Sequence, residues 1–156
     1  MNNFALEIWD DEAAKCTFYT VRWDGARENE TDKFFNKYYS IAGTKQSTQE
    51  LLSFVLDSIG QDQGKVTIGE IVFLYPNFPL RLYALRVNNR NDLVILFNGG
   101  IKSAQTNQNS KDLNLKWIEA CRFAKRIEEA FRDKEIIIDS KKRKILSANG
   151  DDEILL

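Results

Sequence analysis

The chain has 156 residues, with 22 Lys+Arg against 23 Asp+Glu and a hydrophobic content of 43%; one domain, residues 1–156, is expected at this length, with enough apolar material for a core. Zero His and two Cys exclude Ser-His-Asp and Cys-His triads, HExxH zinc helices, Cys2His2 fingers and thiolate zinc sites. Cys16 and Cys121 are expected to be reduced core thiols of a cytoplasmic protein. Residues 1–12 carry no Lys or Arg, and the longest apolar runs, 71–75 and 93–97, are five residues each, so neither a secretory leader nor a membrane span is expected.

Residues 4–9 alternate Phe4, Leu6, Ile8 against Ala5, Glu7, Trp9, and residues 15–23 (KCTFYTVRW) are β-branched and aromatic. The two read as a hairpin. After a polar turn at 24–29, Thr31 or Asp32 caps a short helix carrying Phe34, Phe35, Tyr38 and Tyr39, which Gly43 ends. Ser47-Thr48-Gln49-Glu50 is a capping box. Leu51, Leu52, Val55, Leu56 and Ile59 follow at helical spacing, and Gly60 supplies the stop. Residues 66–75 read as a strand interrupted by Gly69, with a break at 76–79. Strands 80–87 (LRLYALRV) and 93–97 (LVILF) are joined by the polar turn 88–92. The second is apolar on both faces and should be central, ending at Gly99-Gly100. Residues 113–131 form a long helix, with Leu113, Trp117, Ala120, Ala124, Ile127 and Phe131 inward and Glu119, Arg122, Arg126 and Glu129 outward. Residues 135–139 and 143–146 form a last hairpin. The order β-β-α-α-β-β-β-α-β-β predicts an α+β domain with an antiparallel sheet, an N-terminal helix pair and a long C-terminal helix.

Charge is unevenly placed. Residues 1–62 hold six Lys/Arg and eleven Asp/Glu, residues 63–150 hold sixteen and nine, and the tail adds Asp151, Asp152 and Glu153. Such asymmetry permits a local basic surface, and it equally describes ordinary solvated faces. Lys141-Lys142-Arg143-Lys144 has the same two readings, as phosphate contacts or as a polar turn. The acidic runs 10–12 and 151–153 read as a solvated turn and tail. Trp9, Trp23 and Trp117 read as core or edge packing.

The residues with chemical potential lie in the second half. Arg81 and Tyr83 share strand parity and project from one face, while Arg86 has the other parity. After the central strand comes Asn98-Gly99-Gly100-Ile101-Lys102-Ser103-Ala104-Gln105, where glycines let the backbone approach a neighbour closely. In an antiparallel pair Lys102 returns beside the start of the Arg81 strand. Arg, Tyr and Lys at one sheet end suit a phosphodiester. An edge-solvating Arg, a core Tyr and a loop Lys satisfy the same spacing.

The stretch 78–106, followed by the helix segment Ala120-Cys121-Arg122-Phe123-Ala124-Lys125-Arg126-Ile127, resembles the RelE/HigB-like toxins of type II toxin–antitoxin systems. An Arg-containing strand with a nearby Tyr, a strand ending in an Asn-Gly turn, and following Lys and Gln residues carry the likeness. They are Arg81 and Tyr83, then Leu96-Phe97-Asn98-Gly99, then Lys102 and Gln105. The resemblance covers about 15–132, leaving 1–14 and 133–156 as additions, and it implies the element order β-α-α-β-β-β. The family's Lys-Lys doublet stands here as Lys102-Ser103. What the resemblance implies is an endoribonuclease cleaving mRNA, in association with the ribosome, by metal-independent and cofactor-free transesterification, and neutralised by a cognate antitoxin protein. That chemistry needs a base for the 2′-hydroxyl, cations for the phosphorane and an acid for the leaving oxygen. Arg81 would stabilise the phosphorane. Lys102 would serve as base or charge stabiliser, since a neighbouring cation favours a lysine's neutral form. Tyr83 would orient or stack on a base, or act as the acid. Gln105, Arg86, Arg122 and Arg126 would contact RNA. The competing implication is a non-catalytic RNA- or protein-binding module that keeps the fold.

Overall fold

Alternating side chains build the first hairpin. β1 (Phe4–Asp10) and β2 (Thr17–Trp23) pair antiparallel, with Phe4 opposite Trp23 and Leu6 opposite Val21. The computed structural model describes residues 3–59, 69–71, 77–90, 92–102 and 111–156. α1 (Glu30–Tyr39) follows β2. Its cap is Asn29, whose side chain accepts from the Asp32 amide at 2.7 Å, so the expected Thr31 or Asp32 cap lies one turn too late. Thr31 is instead fully buried. Its hydroxyl reaches the carbonyls of Leu96 and Phe97, both at 3.0 Å, and the Thr20 hydroxyl at 2.6 Å.

α2 (Lys45–Ser53) begins after Thr44, without a side-chain cap, and runs on into a wider π-type turn at Phe54–Ile59. Ser47, expected to open this helix, lies inside it. The helix starts early because Thr44 is held in the preceding turn: its hydroxyl donates to Tyr38 O at 2.7 Å, and its carbonyl accepts from Thr48 Oγ1 at 2.7 Å. The Gly60 stop lies outside the described residues. Of the strand expected at 66–75, Gly69–Ile71 is described, as β3.

β4 (Leu80–Arg86) and β5 (Leu93–Ile101) form the centre of the sheet, joined through a 3-10 turn at Val87–Asn89. Strand order is β3-β4-β5-β2-β1-β8, where β8 is Ile154–Leu155. The sheet is mixed rather than antiparallel throughout: β2 and β5 run parallel, Thr17 opposite Leu93 through Thr20 opposite Leu96. A helix pair between β2 and the β3-β4-β5 meander makes a parallel return possible. Residues 151–153 are exposed, as expected of a solvated tail, and the residues after them, Leu155 and Ile154, pair with Ala5 and Leu6 of β1.

Helices cover both faces of this sheet. On one, Leu80, Leu82, Val94 and Leu96 pack against Phe34, Phe35, Tyr38 and Leu51 of the helix pair. On the other, Tyr83, Leu85, Ile95 and Phe97 pack against Leu113, Ala120, Phe123 and Ile127 of α3 (Lys111–Arg132). The hairpin β6 (Ile136–Asp139) and β7 (Lys144–Ser147) extends this second core through Ile136 and Ile145. Tyr19 locks it in place, its hydroxyl accepting from the Ile145 amide at 2.7 Å.

Two further expectations fail on α3. Cys16 is buried and free, but Cys121, also free, is exposed. Trp117, placed in the inward stripe, is 40% exposed. Among the described residues no helix is long and apolar enough to cross a membrane.

Candidate functional site

The β4–β5 pair positions the expected site. Leu82 stands opposite Gly99, but Ala84 stands opposite Leu96. Two residues of β5, Phe97 and Asn98, therefore face the single Tyr83 of β4, a β-bulge. Beyond it β5 runs on through both glycines, with Arg81 opposite Gly100 and Leu80 opposite Ile101. The glycines that were expected to end the strand permit its closest approach. A Cβ on Gly99 would lie 1.7 Å from Arg81 O and 3.0 Å from Leu82 Cα.

The backbone thus sets Arg81 and Lys102 on neighbouring strand ends, and the Lys102 amide donates to Pro79 O at 2.8 Å. The side chains do not open onto one surface. Arg81 is 7% exposed, and its Nη1 donates to the carbonyls of Phe78 and Leu80. Those carbonyls precede or begin β4, so the guanidinium ties down the turn into its own strand. Tyr83 is likewise 7% exposed, with its ring 5.0 Å from that of Trp117 on α3. Lys102 is exposed. Gln105 lies outside the described residues.

The candidate RNA contacts are dispersed. Arg86, at the far end of β4, lines a cleft of about 410 Å³ with Leu85, Val87, Asn88, Glu128, Phe131 and Arg132. Arg122 is exposed on α3. Arg126 forms a two-point pair with Glu135 at 2.9 and 3.0 Å, a pair that holds the Glu135 carboxyl below its ordinary range. At the basic hairpin tip, Arg143 donates to the carbonyls of Ala13 and Ala14 at 3.2 and 2.8 Å, so it fastens the hairpin to the β1–β2 turn. Asp10, in the acidic run, accepts from the Ala13 amide at 3.2 Å in the same turn. Among the described residues no group of three or more Cys, Asp or Glu is arranged to hold a metal ion.

A polar cluster that the sequence reading missed sits at the bulge. Asn98 Oδ1 accepts from the Gly99 amide at 2.7 Å, and its Nδ2 donates to Glu30 Oε1 at 3.3 Å. Glu30, in the first turn of α1, is 2% exposed. Its Oε2 lies 2.9 Å from Lys33 Nζ. Burial alone would raise Glu30, but the influence of Lys33, Glu119 and Asn98 outweighs it and holds the group below the ordinary carboxylate range. Glu119 goes the other way: its own burial, then the hydrogen bond and charge of Glu30, push it up. The signals were faint: Glu30 and Lys33 stand three apart, and Glu119 occupied the stripe assigned to solvent.

Searches of family models, curated proteins and solved structures found no match to this chain.

Proposed function

We propose that this chain is a RelE-like protein of the toxin–antitoxin type that binds a protein partner and does not cut RNA in this conformation. One observation carries the reading: the Arg81 guanidinium, the group assigned to the phosphorane, is buried and spends its Nη1 donors on the carbonyls of Phe78 and Leu80. A transition-state cation must face the place where charge develops. Tyr83 is held under α3 as well. The kinship itself is supported by the element order β2-α1-α2-β3-β4-β5, which is the β-α-α-β-β-β order the resemblance implies. A protein partner is favoured over RNA because three of the arginines that could meet a phosphate backbone are engaged elsewhere. Arg126 holds Glu135, Arg90 holds Asp92 at 2.7 Å, and Arg143 holds backbone carbonyls. Large apolar side chains, meanwhile, stand in solvent on α3, among them Leu115 at 63% exposure and Ile118 at 40%. The partner class is a cognate antitoxin-like protein.

The endoribonuclease reading keeps one observation of its own, the pairing of Arg81 with Gly100 two residues before the exposed Lys102. RNA integrity after induced expression separates the two. Binding without cleavage predicts intact RNA and no growth arrest from wild type, with Arg81→Ala and Lys102→Ala indistinguishable from it. RNA cut by wild type and spared by both variants would restore the nuclease. Losing one transition-state donor costs roughly a hundredfold or more in rate, so the contrast is readable.

A further inference from the structure

We propose that β8 is a removable guard on the outer edge of β1, and that the edge it covers pairs with β1 of a second copy of this chain. The inference stands apart from the binding reading above, since the occupant is this same sequence. The guard is short. Phe4 and Leu156 exchange backbone hydrogen bonds at 3.0 and 2.8 Å, Ala5 stands opposite Leu155, and Leu6 stands opposite Ile154. There the pairing stops, although β1 runs on to Asp10. Antiparallel alternation turns the amide and carbonyl of Phe4, Leu6 and Ile8 to this side. Ile8 lies beyond the end of the guard, and among the described residues no strand pairs with it there.

The stop has a physical cause. Continuing the register by one residue would set Glu153 directly opposite Glu7, at a position without ladder hydrogen bonds, where side chains come closest. Like charges so placed destabilise a strand pair, and Arg22, 2.8 Å from Glu7, offsets only part of that. The tail is anchored upstream, where the Ser147 amide donates to Asp151 O at 2.9 Å, and it reaches β8 through exposed residues. Apolar contact then seats it: Ile154 and Leu156 join the core beside Phe4 and Leu6, while Leu155 is 62% exposed. The β1 pattern is itself self-complementary. Two copies placed antiparallel about a two-fold axis at Leu6 set Phe4 opposite the second copy's Ile8, and Ala5 opposite its Glu7. All three outward backbone positions then pair, and the apolar alternation continues along one face. Glu7 faces an alanine in place of a carboxylate. The contact is isologous, so it closes as a dimer and leaves neither β1 edge open.

The test is sedimentation equilibrium of the full chain carrying Ile154→Asp with Leu156→Asp, which expels the tail, with circular dichroism to follow the fold. Wild type should sediment as a monomer and the double variant at twice that mass. Adding Ala5→Glu, which meets Glu7 twice across the axis, should return it to a monomer; Ala5→Lys should keep the dimer. A double variant that is folded and monomeric, or a dimer indifferent to charge at residue 5, would overturn the proposal. So would loss of the fold, because a strand that cannot leave without unfolding the sheet is no guard. Amide exchange checks the guard in chains that keep the tail. In wild type the Phe4 and Leu156 amides should exchange through openings that leave those of Val94 and Leu96 protected. Glu153→Lys, which sets opposite charges at residues 153 and 7, should lengthen β8 and slow the Ile8 amide roughly threefold. Phe4 exchanging together with β5, or an Ile8 amide unmoved by Glu153→Lys, would refute a guard kept short by charge.

Discussion

Adding one methyl group at Gly99 probes the bulge directly. An alanine Cβ there would meet Arg81 O at 1.7 Å and Leu82 Cα at 3.0 Å. Both are backbone atoms, so no rotamer change relieves the overlap. The strands must part by about 1.5 Å for ordinary contact, since real Cβ–oxygen approaches stay above roughly 3 Å. Parting them breaks the pairing of Leu82 with Gly99 and of Arg81 with Gly100. Two ladder hydrogen bonds at about 1 kcal/mol net, with buried backbone groups orphaned at about 1–3 kcal/mol each, put the cost of Gly99→Ala at roughly 3–6 kcal/mol. That is a large part of the roughly 5–15 kcal/mol a typical domain has. Gly100→Ala is the control. Its Cβ would meet Leu113 Cδ1 at 3.4 Å and the Tyr38 hydroxyl at 3.6 Å, ordinary contacts, so it should cost less than about 1 kcal/mol. Urea unfolding of the two variants measures the difference. Equal midpoints for Gly99→Ala and Gly100→Ala would refute the close approach, and with it the bulge that makes it.

Thr31→Val keeps the shape but leaves two β5 carbonyls and the Thr20 hydroxyl without their partner; a loss of about 2–4 kcal/mol in urea unfolding is expected. A thiol reagent should label one cysteine in the native protein and two after unfolding. Cys121 is exposed, whereas burial, aided by Asp92, pushes the Cys16 thiol up to about 12; fast labelling of both thiols in the native state would contradict this. The Arg90 guanidinium donates to both Asp92 oxygens and holds that carboxyl below its ordinary value. Its contribution is present above the unfolded carboxylate value and lost as pH falls through the folded one. Asp92→Asn should therefore flatten the acid limb of the stability curve, while Glu119→Gln flattens the opposite limb.

Periodicity made the elements legible, and long-range pairing decided their edges. Phe34, Phe35 and Tyr38 announce α1, and all three are buried, but its cap is decided by Asn29. The Thr31 hydroxyl, which suits a cap in sequence, is drawn to β5 carbonyls more than sixty residues away. The same holds for the tail. Asp151 to Glu153 dominate its composition, yet Ile154 and Leu155 supply an edge strand, with Phe4 and Leu156 exchanging backbone hydrogen bonds at 3.0 and 2.8 Å. A two-residue strand has no period to detect. The parallel β2–β5 pair was also out of reach, because hydrophobicity identifies a central strand without giving the direction of its neighbour.

The candidate site was half legible for a sharper reason. Parity arguments hold for a regular strand, and they put Arg81 and Tyr83 together on β4. They take no account of what lies over the strand, nor of an extra residue in its partner. The bulge places both Phe97 and Asn98 opposite Tyr83. Phe97 then stacks on Phe123 of α3, rings 5.7 Å apart and nearly parallel, which draws the helix onto the face a substrate would have needed. Asn98 turns to Glu30 on α1, so the bulge also fastens the helix on the other face. One inserted residue thus serves both helix layers at a single point, α3 through Phe97 and α1 through Asn98. Arg81 is left to brace the turn into β4 while Lys102 remains in solvent. Any chemistry on the Arg81–Tyr83 face requires α3 to move first.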